Sequence, residues 1–132
     1  MSRFYGIDEA NERLAELQPL LEQLRADREA VAEAQRELVK TRQTNGSAEH
    51  AEELRQRESE IREIVRRMQQ SVVQIDGWGI SLRDIASGLI DVAALVNGRP
   101  VWLVWRLGED GVGWWHEADV GFDQRRPLAE LS

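Results

Sequence analysis

The residues best equipped for chemistry lie in the last third of the chain. The segment WRLGEDGVGWWHE, residues 105–117, carries His116 beside Glu117, the carboxylates Glu109 and Asp110, and the cation Arg106. Asp91 precedes it in GLIDVAALV, and Arg125 and Arg126 follow it in GFDQRRPL. Two carboxylates held close together push one pKa upward, which suits a general acid. An arginine between them does the opposite and holds both ionised. A cluster of Asp91, Arg106 and Glu117, joined by Arg125 from the tail, therefore suits acid–base work, anion recognition or a cross-strand ion-pair network that fixes register. These residue types favour the network. Phe122 would anchor the returning tail, and Glu109 would close the turn.

His116 and Glu117 are both zinc-type ligands, and Asp91 would complete a set with them. Glu109, Asp119 and Asp123 are further oxygen donors. Neighbours on a strand face opposite ways, however, and no helical His-Glu-x-x-His pattern is present. The expectation is no cofactor, with a divalent metal on His116, Glu117 and Asp91 as the weaker alternative. A core histidine bonded to backbone or to a carboxylate is the plainer role. Trp102 and Trp115 beside Arg106 could stack on an aromatic or sugar ligand. Aromatics with one dry side are also what association interfaces contain.

These residues need elements to position them. Asn97–Gly98 separates two apolar runs rich in Val, Ile and Trp, and Asp110–Gly111 precedes a third. Both dipeptides are strong hairpin signals. They predict a three-stranded antiparallel meander over 88–96, 100–107 and 112–118. If each dipeptide is a two-residue turn, Val92 lies opposite Leu103 and Trp105 opposite His116. One face then carries Ile90, Val92, Ala94, Val96, Val101, Leu103, Trp105, Leu107, Trp114 and His116, and packs on the helices. The other carries Leu89, Asp91, Ala93, Leu95, Trp102, Val104, Arg106, Trp115 and Glu117. The proposed cluster depends on that parity, because a one-residue slip reverses a strand.

Residues 7–75 are rich in the helix formers Ala, Glu, Arg, Gln and Leu. Leu14, Leu17, Leu21, Leu24, Val31 and Leu38 follow a heptad-like spacing, with Arg28 and Gln35 in the gaps. Gly6 is placed to cap this helix, and Asp8 and Glu9 suit its positive end. Pro19 predicts a kink, or a short helix joined to a longer one. In TRQTNGSAEH, residues 41–50, Asn45–Gly46 signals a turn and Ser47 a helix cap. Leu54, Ile61, Ile64, Val65, Met68, Val72 and Ile75 then return at helical spacing. Two long helices with a short connection run antiparallel. The fold class is α+β, a single domain over 1–132: a helical hairpin over 7–75, a β-meander over 77–118 and a tail over 119–132.

Composition sets the outer bounds. The 132 residues are 42% hydrophobic and 31% charged, a globular balance. A net charge of −7 opposes a nucleic-acid partner, which is held mainly by Lys and Arg. With no Cys, disulfides and thiol chemistry are out. The opening MSRFYGIDEANERL lacks the apolar core of a signal peptide, and no apolar run reaches the roughly 18 residues of a membrane span. The expectation is a soluble cytoplasmic protein with no membrane partner.

The segments YGIDEAN, GISLRDIASGLIDVAALVNGRPVWLVWRLGEDGVGWWHE and GFDQRRPL resemble a family of small bacterial proteins, the domain of unknown function numbered 2203. The resemblance spans nearly the whole chain. It singles out Asp84, Gly88, Leu89, Asp91, Gly98, Trp105, Arg106, Gly108, Glu109, His116, Glu117, Gly121, Phe122 and Arg125. The family pattern often has a Cys before the Trp-Arg pair and a Phe after the Asp of LID. Here those positions are Val104 and Val92, so no role needing a thiol carries over. The resemblance implies the architecture and no activity. The expected function is a non-catalytic, homodimeric interaction module, with another protein as a further partner. The alternative is a small enzyme or ligand-binding protein working from the sheet.

Overall fold

In the computed structural model, residues 4–43 and 48–131 are described, apart from the side chain of Phe122. Helix α1 spans Ile7–Arg42 and helix α2 spans Ala48–Gly77. Five strands follow: β1 (Ile80–Asp84), β2 (Leu89–Val96), β3 (Arg99–Arg106), β4 (Trp114–Glu117) and β5 (Arg126–Pro127). They form one antiparallel sheet in chain order. The class is α+β, as the periodicity requires. The strand count is five where three were expected. The Asn45–Gly46 turn, the Ser47 cap and the Phe122 anchor lie outside the described residues.

Helix α1 starts as its first residues dictate. Gly6 is the N-cap, its amide donates to Glu9 Oε1 at 3.3 Å, and Asp8 and Glu9 sit in the first turn. The helix continues through Pro19, so the two-helix alternative does not form. The buried stripe runs Leu14, Leu17, Leu21, Leu24 and then Asp27, with Leu38 and Thr41 further on. An α-helix turns every 3.6 residues, so a strict heptad drifts around it. That drift puts Asp27 inside where the heptad would place Arg28. Arg67 of α2 answers the buried carboxylate, and Gln23 Nε2 donates to it at 2.8 Å. Arg67 is the leading reason that Asp27 titrates below the ordinary carboxylate range.

The core lies between the helices and one sheet face. Tyr5, Leu14, Leu17, Leu21, Leu24 and Ile75 meet Ile80, Ile90, Val92, Leu103, Trp105 and Trp115 there. Tyr5 extends the sheet past the end of β1. Its amide donates to Ala93 O at 2.9 Å, and Leu95 N donates to Tyr5 O at 3.0 Å.

Candidate functional site

The β2–β3 hairpin has the expected register. Asn97 (φ 54°) and Gly98 (φ 76°) both take left-handed conformations, the requirement of a two-residue turn that matches strand twist. Val92 faces Leu103, Asp91 faces Val104 and Leu89 faces Arg106.

The β3–β4 hairpin corrects the second half of the reading. His116 lies opposite Trp102, where Trp105 was expected. Asp110–Gly111 is not the turn. The chain reverses at residues 106–109, where Glu109 N donates to Arg106 O at 3.0 Å and Glu109 Oε1 accepts from Arg106 N at 2.6 Å. Trp105 Nε1 donates to Glu109 O at 3.0 Å. Residues 110–113 then run on to β4. Val112 is buried, and its amide donates to Asn11 Oδ1 of α1 at 3.0 Å. The displacement of three residues is odd, so it turns β4 over. Trp115 and Glu117 face the helices' side of the sheet, while Trp114 and His116 share the outer face with Asp91, Trp102, Val104 and Arg106.

The expected cluster therefore divides. Asp91, Arg106 and Arg125 belong to the outer face, whereas Glu117 is on the other side and ion-pairs with Arg99. Trp115 leaves the shared face with Trp102. It is buried, donates from Nε1 to Pro127 O at 3.1 Å, and has Arg99 and Arg126 over its ring. The His116, Glu117 and Asp91 ligand set is not assembled. Among the described residues no group of three or more His, Asp or Glu is placed to hold a metal ion. Glu109 closes the turn.

Two polar arrangements occupy the outer face. The first is buried. Asp91 is 2% exposed and His116 3%. Asp91 Oδ2 accepts from Arg83 Nε at 2.8 Å and meets His116 Nε2 at 3.3 Å. His116 Nδ1 lies 2.9 Å from Glu117 O, which can only accept, so Nδ1 carries a hydrogen. A bond at Nε2 then needs one more proton, on the ring or on the carboxyl group. Trp102 stacks on His116 with centroids 6.4 Å apart, and the Arg83 guanidinium lies 5.7 Å from the Trp102 centroid. Asp91 Oδ1 is buried with no hydrogen-bond partner. Both imidazole nitrogens are engaged and the ring is enclosed, so His116 presents no free base. The assembly locks β1, β2 and β4 together.

Arg83 is not among the residues expected from the sequence, where GWGIS reads as a helix break. The signal was there: Ile80 and Leu82 alternate with Ser81 and Arg83. A register shift between Leu82 and Asp84 leaves Arg83 as the extra residue of a bulge, a device that re-aims a side chain.

The second arrangement is a small recess of about 50 Å³, lined by Leu89, Val104, Arg106, Glu109, Trp114 and Arg125. Arg125 holds its guanidinium 5.1 Å from the Trp114 centroid.

A family model described as "Uncharacterized conserved protein (DUF2203)" matches residues 3–128. The chain belongs to the DUF2203 family. The match takes in both helices, the sheet and every outer-face residue named above. No curated protein and no solved structure matches the chain.

Proposed function

We propose that this DUF2203 chain is a non-catalytic assembly module that forms a homodimer through α2. The observation that carries the reading is an open apolar groove of about 450 Å³ on the helical hairpin, lined by Val31, Val65, Met68, Val72 and Val73 with Arg28 and Gln69. Val73 is 70% exposed. A contiguous apolar surface on a chain this acidic marks an association site.

The spacing within α2 names the occupant. Arg62, Val65, Gln69, Val72 and Asp76 recur at three- and four-residue steps, the seam of a coiled coil. The seam is close to symmetric about Gln69. A second copy docked antiparallel with its Gln69 at the two-fold axis brings Val65 onto Val73 and Arg62 onto Asp76 of the second copy. Such an interface is self-complementary, as closed two-fold dimers require. The engagement of both His116 nitrogens also favours the non-catalytic reading. A soluble cytoplasmic setting in a bacterium belongs to the same proposal and fits the charged outer helix faces.

Sedimentation equilibrium at micromolar concentration tests it. The expected mass is twice the 15.1 kDa of the chain. Val65→Glu with Val73→Glu yields a monomer of unchanged helicity. Arg62→Glu weakens the dimer, and adding Asp76→Arg restores it. A monomeric wild-type chain overturns the proposal.

A further inference from the structure

The outer-face recess is on the opposite side of the sheet from the core, and its chemistry is independent of the dimer seam. Its floor is apolar, with Val104 buried and Leu89 half-buried. Two guanidiniums belong to its lining, those of Arg106 and Arg125. Trp114 sets the position of Arg125 by a cation–π contact.

Asp91 and Glu109, the carboxylates named on this face, are already engaged. Asp91 faces Arg83 and His116, so its charge is met within the sheet. Glu109 turns one oxygen onto the backbone amide of Arg106. Among the described residues no carboxylate pairs with the Arg106 guanidinium. Arginine is the side chain whose planar fork matches an oxyanion with two parallel bonds. An apolar floor strengthens that attraction by lowering the local dielectric.

We propose that this recess is a binding site for a carboxylate group. The planar fork selects the class: the Arg106 guanidinium, which pairs with no carboxylate among the described residues, suits a singly charged, planar head. A phosphate dianion would bring a second negative charge toward Glu109. A volume near 50 Å³ has room for one carboxylate head and little more, since liquid water occupies about 30 Å³ per molecule. Any larger ligand would carry the rest of its body over Trp114 and out of the recess.

The test is an NMR titration of the tryptophan indole N–H resonances with sodium acetate, at ionic strength held constant with chloride. Trp114→Phe identifies the reporter signal. The expected result is a saturating shift of the Trp114 resonance at millimolar acetate, with the Trp78 resonance unmoved. Arg106→Ala and Arg125→Ala each weaken binding at least tenfold, and Arg106→Lys restores part of it without the two-pronged fit. Inorganic phosphate at the same concentration binds more weakly than acetate. A linear, non-saturating shift overturns the site, as does equal binding by the Arg106→Ala protein with its melting temperature retained. Tighter binding of phosphate than of acetate overturns the carboxylate assignment.

Discussion

Arg67 reaches across the helical hairpin and grips Asp27 with two nitrogens, Nε 3.1 Å from Oδ2 and Nη2 2.6 Å from Oδ1. The acceptor is inside, at 2% exposure, while the donor's side chain is half exposed. The guanidinium thus keeps water on one side and covers the carboxylate on the other, and it pins the register of α1 against α2.

That pair makes stability acid-sensitive. Asp27 titrates below its ordinary range, chiefly through the bond from Arg67, with Gln23 adding and burial opposing. A lowered folded-state pKa stabilises fully above the unfolded value of about 3.9 and is lost as pH falls through the folded value. Asp27→Asn is expected to cost about 1.5 kcal/mol at neutral pH, the low end for bonds to a charged group because Arg67 is half solvated. Urea midpoints across the acid range check the sign: wild type and variant converge as Asp27 protonates. A constant gap would refute the linkage.

Asp91 holds Arg83 and His116 from a buried position, so removing it strands His116 Nε2. Asp91→Ala is expected to destabilise by about 3 kcal/mol, the lower figure for breaking a buried ion pair, since Arg83 remains half exposed. A double-mutant cycle between Arg83→Met and Asp91→Asn is expected to give a coupling of about 1 kcal/mol. Additive losses would show that the two side chains do not act together.

Gly88 has φ +67°, and a Cβ placed there would meet Leu107 Cβ at 2.5 Å. The close approach follows from Leu107 N donating to Gly88 O at 3.0 Å, the bond that ties the end of β3 to β2. Gly88→Ala is expected to cost about 2–4 kcal/mol, combining left-handed strain with overpacking. Gly113→Ala, with open space around it, is the control and is expected to leave the melting temperature nearly unchanged.

Asn11 supplies the acceptor for the amide of Val112, 101 residues away in the chain. Asn11→Ala is expected to cost about 1–2 kcal/mol by leaving a part-buried amide unpaired. Hydrogen exchange at Val112 should accelerate, and Asn11→Asp, which keeps an acceptor, should protect it. Unaltered exchange in the alanine variant would remove Asn11 from its anchoring role.

Part of the outer face is legible in the sequence. Asp91, Arg106 and Arg125 were expected on one outer face, and they are there. Trp102 was expected on that face too, and it stacks on His116. Glu117 and Trp115 change face with β4, and Arg83 is missing from the expected set because a five-residue strand beginning three residues after a helix reads as a helix end. A buried carboxylate at Asp27 was also invisible in a heptad reading, which assigns inside and outside by a period that real helices do not keep.

What the residues determine alone is what their near neighbours enforce. Apolar spacing makes the two helices, and Asn97–Gly98 makes a turn whose left-handed angles tie β2 to β3 without help from the rest of the chain. What only the tertiary structure decided is the parity of β4. Asp110–Gly111 has the same turn chemistry in the sequence, yet Glu109 captures the chain earlier and Asn11 holds Val112 against α1. Those contacts are made across the fold, and they override a two-residue preference. Because a strand alternates at every residue, that one long-range choice sent His116 to Asp91 and Glu117 to Arg99.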